Sequence, residues 1–245
     1  MIASLLAALV GAAVGYAGVR LAPRWTGKPV RRWEIITLLV VGALFGVLLA
    51  FSLGAVTLPL GALLADLRLW AAVLMAGTLM LASFVDLHER IIPNQLMTWT
   101  LIWVAALTII EEIARRILQR SPTAAVAWLT QMTVAESLGQ ALLGLLAGGG
   151  ILLLLALLFS GGMGLGDVKL AGVFGLYLGW QQTLLALFLG FWLGDLGVAA
   201  LLLLGKVKLG RKDLVAFGPY LAGGALGALL FGPLILQWYW HAAGL

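Results

Sequence analysis

Seven runs of mostly apolar residues, near 2–20, 34–53, 69–86, 95–112, 138–160, 181–204 and 215–237, are each long enough to cross a bilayer. About 20 such residues in a helix match the hydrocarbon core, and within lipid only a helix or a closed barrel satisfies the backbone. The runs are long and continuous rather than alternating, which points to an all-α polytopic membrane bundle, one domain over residues 1–245. The balance of residues agrees with this: 63% are hydrophobic and 10% charged, and the mean hydropathy is +1.10, whereas about a quarter of a soluble domain is charged. The first run has no basic residue before it and continues through Val14 to Gly18 without a cleavage site, so it is read as a retained helix.

The same composition removes several function classes. A formal charge of +5, scattered between the apolar runs, argues against nucleic acid and for topology signals. The chain has no cysteine, which excludes disulfides, thiolate metal sites and a cysteine nucleophile. His88 and His241 are the two histidines and lie far apart in sequence, and a catalytic zinc normally takes three protein ligands. Neither a metal nor a cofactor is expected.

Basic residues set the orientation. Arg20, Arg24, Lys28, Arg31 and Arg32 follow the first run, and Lys206, Lys208, Arg211 and Lys212 precede the last. Both loops should be cytoplasmic. They share a side only if the apolar stretch 168–179 also crosses, although it is too short for a full lipid-exposed span. The expectation is therefore eight transmembrane helices with both termini outside, in the inner (plasma) membrane, and Arg90 and Lys169 inside. Residues 111–136 are read as an external loop with a surface helix, where Glu112 stands one turn before Arg116, and Ser121-Pro122 ends that helix.

Two polar segments interrupt this pattern, Asp86 to Asn94 and Gly161 to Lys169, and each carries an aspartate at the edge of an apolar run. A carboxylate beside lipid is costly unless paired, hydrated or neutralised, so each marks a candidate site. The topology puts Asp86 and Asp167 on one membrane face, the cytoplasmic one. Two carboxylates sharing a proton are what an aspartic peptidase needs: one takes a proton from water while the other protonates the scissile carbonyl. Gly164 and Gly166, with Gly161 and Gly162, keep side chains away from Asp167. Lys169 is expected to meet lipid, fix topology or orient a carboxylate. Pro93 should stop one helix, and Asn94 is a natural N-cap for the next. His88 and Glu89 are read as loop residues, and Glu89 with the two aspartates should attract a basic peptide. Asp195, inside the 181–204 run, is expected to pair structurally with a neighbouring helix. A proton-coupled transporter using the same carboxylates is the alternative from another class.

Three ordered motifs add a resemblance: Asp86 with Ile92-Pro93-Asn94, Gly164-Leu-Gly-Asp167-Val-Lys-Leu170, and Phe217-Gly218-Pro219-Tyr220-Leu221. Together they resemble the type IV prepilin peptidase family of GxGD intramembrane aspartic proteases. The likeness runs from about Trp33 onward. It implies that Asp86 and Asp167 are the catalytic pair. The implied substrate is the basic leader peptide of a prepilin or pseudopilin, cut at the cytoplasmic membrane face just before its hydrophobic helix. Bifunctional members carry a cytoplasmic insert with two Cys-x-x-Cys pairs and also methylate the new amino terminus. Here residues 21–32 replace that insert, which puts methyl transfer in question.

Overall fold

The structure, a computed structural model, describes residues 16, 67–120, 135, 137–158, 164–204 and 216–244. The expected spans at 2–20 and 34–53 lie outside the described residues, apart from Tyr16, which is helical. Six helices run through the stretches from residue 67 onward: α1 (Leu67–Glu89), α2 (Asn94–Arg120), α3 (Leu138–Leu158), α4 (Leu165–Leu178), α5 (Trp180–Leu203) and α6 (Gly218–Ala242). All but α4 are long and apolar enough to cross a membrane. They coincide with the five apolar runs from residue 69 onward.

Helices α1 and α2 each turn a stripe inward. On α1, Met75, Leu79, Ala82 and Asp86 follow one another at helical spacing and are all buried. Asp86 therefore belongs to the core stripe and not to a loop. On α2 the buried stripe is Met97, Thr100, Val104, Thr108 and Glu111. The two threonine hydroxyls donate to the carbonyls of Leu96 and Val104 one turn back, which keeps them satisfied without a partner helix.

The short helix α4 is the centre of the bundle. It packs against α2, α3, α5 and α6, and every residue from Leu170 to Gly179 is buried. At about 1.5 Å per residue its 14 residues span roughly 21 Å, less than the ~30 Å of a hydrocarbon core. Its apolar residues face protein on all sides, so they form no single stripe. The helices close on it through glycine: a Cβ on Gly144 would strike the Gly175 carbonyl, one on Gly148 the Ala171 carbonyl, and one on Gly175 the Gly144 carbonyl. Small residues at such spacing let backbones touch where lipid offers no hydrophobic drive. Beside this contact α3 is π-helical over Leu146–Gly150.

A single residue, Gly179, reverses the chain between α4 and α5. Its φ of 76° and ψ of 168° suit glycine alone, and its carbonyl accepts from the Thr183 hydroxyl at 2.6 Å. Across the bundle, α5 and α6 meet closely where Gly224 faces Ala186 and Gly190.

Three sequence expectations change here. Residues 111–120 are not a separate surface helix, because α2 runs unbroken to Arg120. Glu111 falls on the inward stripe and is 2% exposed. The expected Glu112–Arg116 pair does form, at 2.9 Å, and the helix ends just before Ser121-Pro122. His88 and Glu89 are also helical, forming the last turn of α1. Asp195 lies within α5 as expected, but its side chain is exposed and pairs with no described residue.

Candidate active site

Four helix ends meet at one end of the bundle: the C-terminus of α1 and the N-termini of α2, α4 and α6. Asp86 accepts a hydrogen bond from the Gly218 N–H at 3.0 Å, Lys169 donates from Nζ to Asn94 Oδ1 at 2.7 Å, and Gly166 lies against Ile92. Asp86 and Asp167 are thereby drawn together from distant parts of the chain, each almost sealed from solvent at 5% and 8% exposure.

Asp86 ends the core stripe of α1 and is held by another helix. Gly218 opens α6, where Phe217 is the N-cap and Pro219 follows in the first turn. The first N–H groups of a helix lack partners within it; Pro219 has none to offer, and the Gly218 N–H is spent on the Asp86 carboxylate. A carboxylate at a helix N-terminus also meets the positive end of the helix dipole. Glycine is required at 218, because a Cβ there would sit 2.6 Å from Asp86 Oδ2.

Asp167 is held locally. It is the third residue of α4 and its own N–H donates to the Gly164 carbonyl at 3.1 Å. The Gly164 N–H donates to its carboxylate in return, the reciprocal geometry of a capping box without a hydroxyl at the cap. A Cβ on Gly164 would lie 3.4 Å from Asp167 Oδ2, so that glycine leaves the carboxylate open on one side. Asp167 precedes the apolar body of α4. Burial first, and the negative charge of Asp86 second, push its pKa up to about 6, against the lowering effect of the Gly164 N–H.

The loop between α1 and α2 closes the site's edge. Arg90 takes a left-handed φ of 54°, and its N–H donates to the Asp86 carbonyl at 2.8 Å, a C-terminal reversal that here uses arginine rather than glycine. Ile92 is buried against Gly166, where a Cβ would come within 3.0 Å of the isoleucine. The Pro93 carbonyl accepts from Met97, so Pro93 occupies the cap position of α2 and Asn94 is the first helical residue. Asn94 is thus not the N-cap; its side-chain oxygen is spent on Lys169. Glu89 is half-buried, with one carboxylate oxygen closed off from solvent.

This end of the bundle brings together Asp86, Asp167, Gly164 and Gly166, with Lys169, Pro93 and Asn94 beside them. Gly161 and Gly162 lie outside the described residues. The residue not singled out for a role in the sequence is Gly218. Its signal was the glycine before Pro219: a helix start with one free N–H, no side chain, and no second donor.

A sequence profile described as the Type IV leader peptidase family matches residues 73–199. The Prepilin leader peptidase/N-methyltransferase of Bacillus subtilis (strain 168) is 30% identical over 174 residues, covering 71% of this chain and 60% of that protein. The protein of the same description from Aeromonas hydrophila is 32% identical over 174 residues, covering 69% of this chain and 52% of its own length. That from Aeromonas salmonicida (strain A449) is 31% identical over the same shares. The chain therefore spans between about half and three-fifths of the curated relatives it matches. No solved structure matches it.

Proposed function

The chain belongs to the type IV leader peptidase family, and from that premise we propose that it is a membrane aspartic endopeptidase that removes the leader from prepilin-like proteins. The observation that carries this reading is the convergence of Asp86 and Asp167, both buried and close enough to act on one another as like charges, at one end of the bundle.

In this reading the two carboxylates share one proton, and their titration belongs to the pair. The ionised member takes a proton from a water as that water's oxygen adds to the scissile carbonyl carbon. The protonated member gives its proton to the carbonyl oxygen. Collapse of the tetrahedral diol breaks the C–N bond: the departing amine takes the proton that came from water, and a diol hydroxyl returns its proton to the other carboxylate as the product acid forms, which restores the one-proton pair. Gly218 fixes the direction of the Asp86 carboxylate, and the capped first turn of α4 fixes that of Asp167. The glycine at 164 leaves room beside Asp167 for an extended substrate backbone, whereas Gly166 makes room for Ile92.

Helix parity supports eight crossings with both termini outside. The chain reverses at every step from α1 to α6, so α4 runs from the site end to the far end and counts as a passage despite its length. The last turns of α5 lie beside the start of α6 at the site end, and the sequence that joins these two helices carries Lys206, Lys208, Arg211 and Lys212. That charge argues for a cytoplasmic active site, where a basic leader would arrive, and the residues 1–245 form one domain around it.

The test is to incubate the purified protein in detergent or vesicles with a prepilin carrying its leader, and to weigh the products. Cleavage at the leader junction, lost in Asp86→Asn, is the expected result. An intact leader after prolonged incubation would overturn the reading. With a methyl donor added, the product should keep an unmodified amino terminus.

A further inference from the structure

We propose that Arg90 is a positioning residue that keeps the negative charge of the carboxylate pair on Asp86 and so leaves the shared proton with Asp167; this rests on the peptidase reading and divides the two catalytic roles. Asp86 then takes the proton from water, and Asp167 gives its proton to the scissile carbonyl oxygen.

The two mounts alone do not decide between the roles. Each carboxylate accepts one backbone N–H, Asp86 from Gly218 and Asp167 from Gly164, and both donors stand at the start of a helix. Asp86 has a handicap besides, because it lies in the last turn of α1, where the helix dipole opposes a negative charge. Glu89 stands three residues further on, so the same helix face carries a second anion. A cation on that side is what tips the balance toward an ionised Asp86.

Charged side chains at this end are few. Those described are His88 and Glu89 at the end of α1, Arg90 after it, Asp167 and Lys169 on α4, and Asp195 on the outer face of α5. The first turns of α2 and α6 carry none, and neither does α3. His88 turns back on its own helix, with Nδ1 2.8 Å from the Phe84 carbonyl oxygen. Lys169 is directed to Asn94 at 2.7 Å. Arg90 acts on the Asp86 carboxylate as an opposite charge.

The backbone supplies the second observation. Arg90 is the one non-glycine residue with a left-handed φ among the described residues, at 54°, and its N–H donates to the Asp86 carbonyl at 2.8 Å. The residue after a helix end in this conformation is ordinarily glycine. A large side chain kept in a sparsely populated conformation beside two buried acids points to a use for that side chain. Asp167 shows the counterpart: the charge on Asp86 helps to raise its pKa to about 6, the order of a pair in which Asp86 ionises first.

The pH dependence of leader cleavage tests this. A positive charge beside Asp86 favours the ionised form, so its removal moves the first ionisation of the pair, and with it the acid limb of kcat/KM, to higher pH. In Arg90→Gly the limb should rise by ~0.5 pH unit, about a threefold loss of kcat/KM on that limb, because an exposed guanidinium is partly screened. Arg90→Glu should move it further, and Arg90→Lys should restore it. Glycine suits the left-handed backbone, so the turn survives the first variant. A limb that stays in place in Arg90→Gly would overturn the proposal, whether stability rises, as for a purely structural turn, or KM changes at every pH, as for a cation that only meets the leader. Carboxyl-carbon NMR on aspartate-labelled protein reads the same pair without substrate: the first ionisation should report at Asp86 and the second at Asp167, and Arg90→Gly should move the first more. The reverse order would overturn the assignment. If unsubstituted enzyme leaves the leader intact while the spectra show the expected order, the peptidase reading fails and the charge assignment stands. If it cuts the leader and the limb does not move, the role of Arg90 alone fails.

Discussion

The two aspartates are mounted in opposite ways. Asp86 closes a helix and depends on a distant one, since its hydrogen bond comes from Gly218, at the start of α6. Asp167 opens a helix and is held by its own first turn, through Gly164. A mount made within one turn forms whenever the helix forms. A mount made between α1 and α6 exists only when the bundle is assembled, so the pocket is complete only in the folded protein. The difference also separates what can be changed: the local mount leaves Asp167 a free side, whereas the remote one has no room for even a methyl group.

Removing either carboxylate should have the largest effect. Asp86→Asn and Asp167→Asn are each expected to lower kcat by ~10³-fold or more, within the range set by positioned proton transfer, in a cleavage assay on a leader-bearing prepilin. A large residual rate in one variant alone would mean that the two do not act as a pair. Next comes Gly218→Ala. Its Cβ would sit 2.6 Å from Asp86 Oδ2, so the carboxylate must move, and a misplacement of that order is expected to cost about 10²-fold in kcat. Gly164→Ala, whose Cβ would stand 3.4 Å from Asp167, should cost only about threefold, since the neighbour need shift by no more than tenths of an ångström. Measuring the two alanine variants side by side sharpens the comparison, and equal losses would erase it. The smallest effect belongs far from either mount: Glu112→Gln removes an exposed i,i+4 pair, is expected to change stability by ~0.2–0.5 kcal/mol in a denaturation experiment, and should leave kcat alone.

Much of this was legible before any coordinates. The spans from residue 69 onward follow from run length; the shortness of 168–179 spoke only against a full lipid-exposed span, and the burial of Leu170 to Gly179 shows that protein covers it. Asp86 and Asp167 were marked by the cost of charge beside lipid. What misled was reading polarity without phase. Glu111 looked like the start of a loop because it is charged, yet it continues the stripe of Met97, Thr100, Val104 and Thr108 and is buried. Asn94 suited an N-cap by type, but Pro93 already supplies the cap carbonyl, and the amide is used across the bundle on Lys169. Gly218 was visible only as part of a motif, because the identity of the carboxylate it meets depends on α1 and α6 coming together.

The account stands on the two carboxylates facing one another, and the titration of Asp167 tests this most directly. Carboxyl-carbon NMR on protein labelled at aspartate should place its pKa near 6 in the unsubstituted chain. In Asp86→Asn, with the like charge gone, the ionised form is less disfavoured, so the pKa must fall. A downward shift is the expected result. An Asp167 titration that does not move when Asp86 is neutralised would contradict the shared pocket.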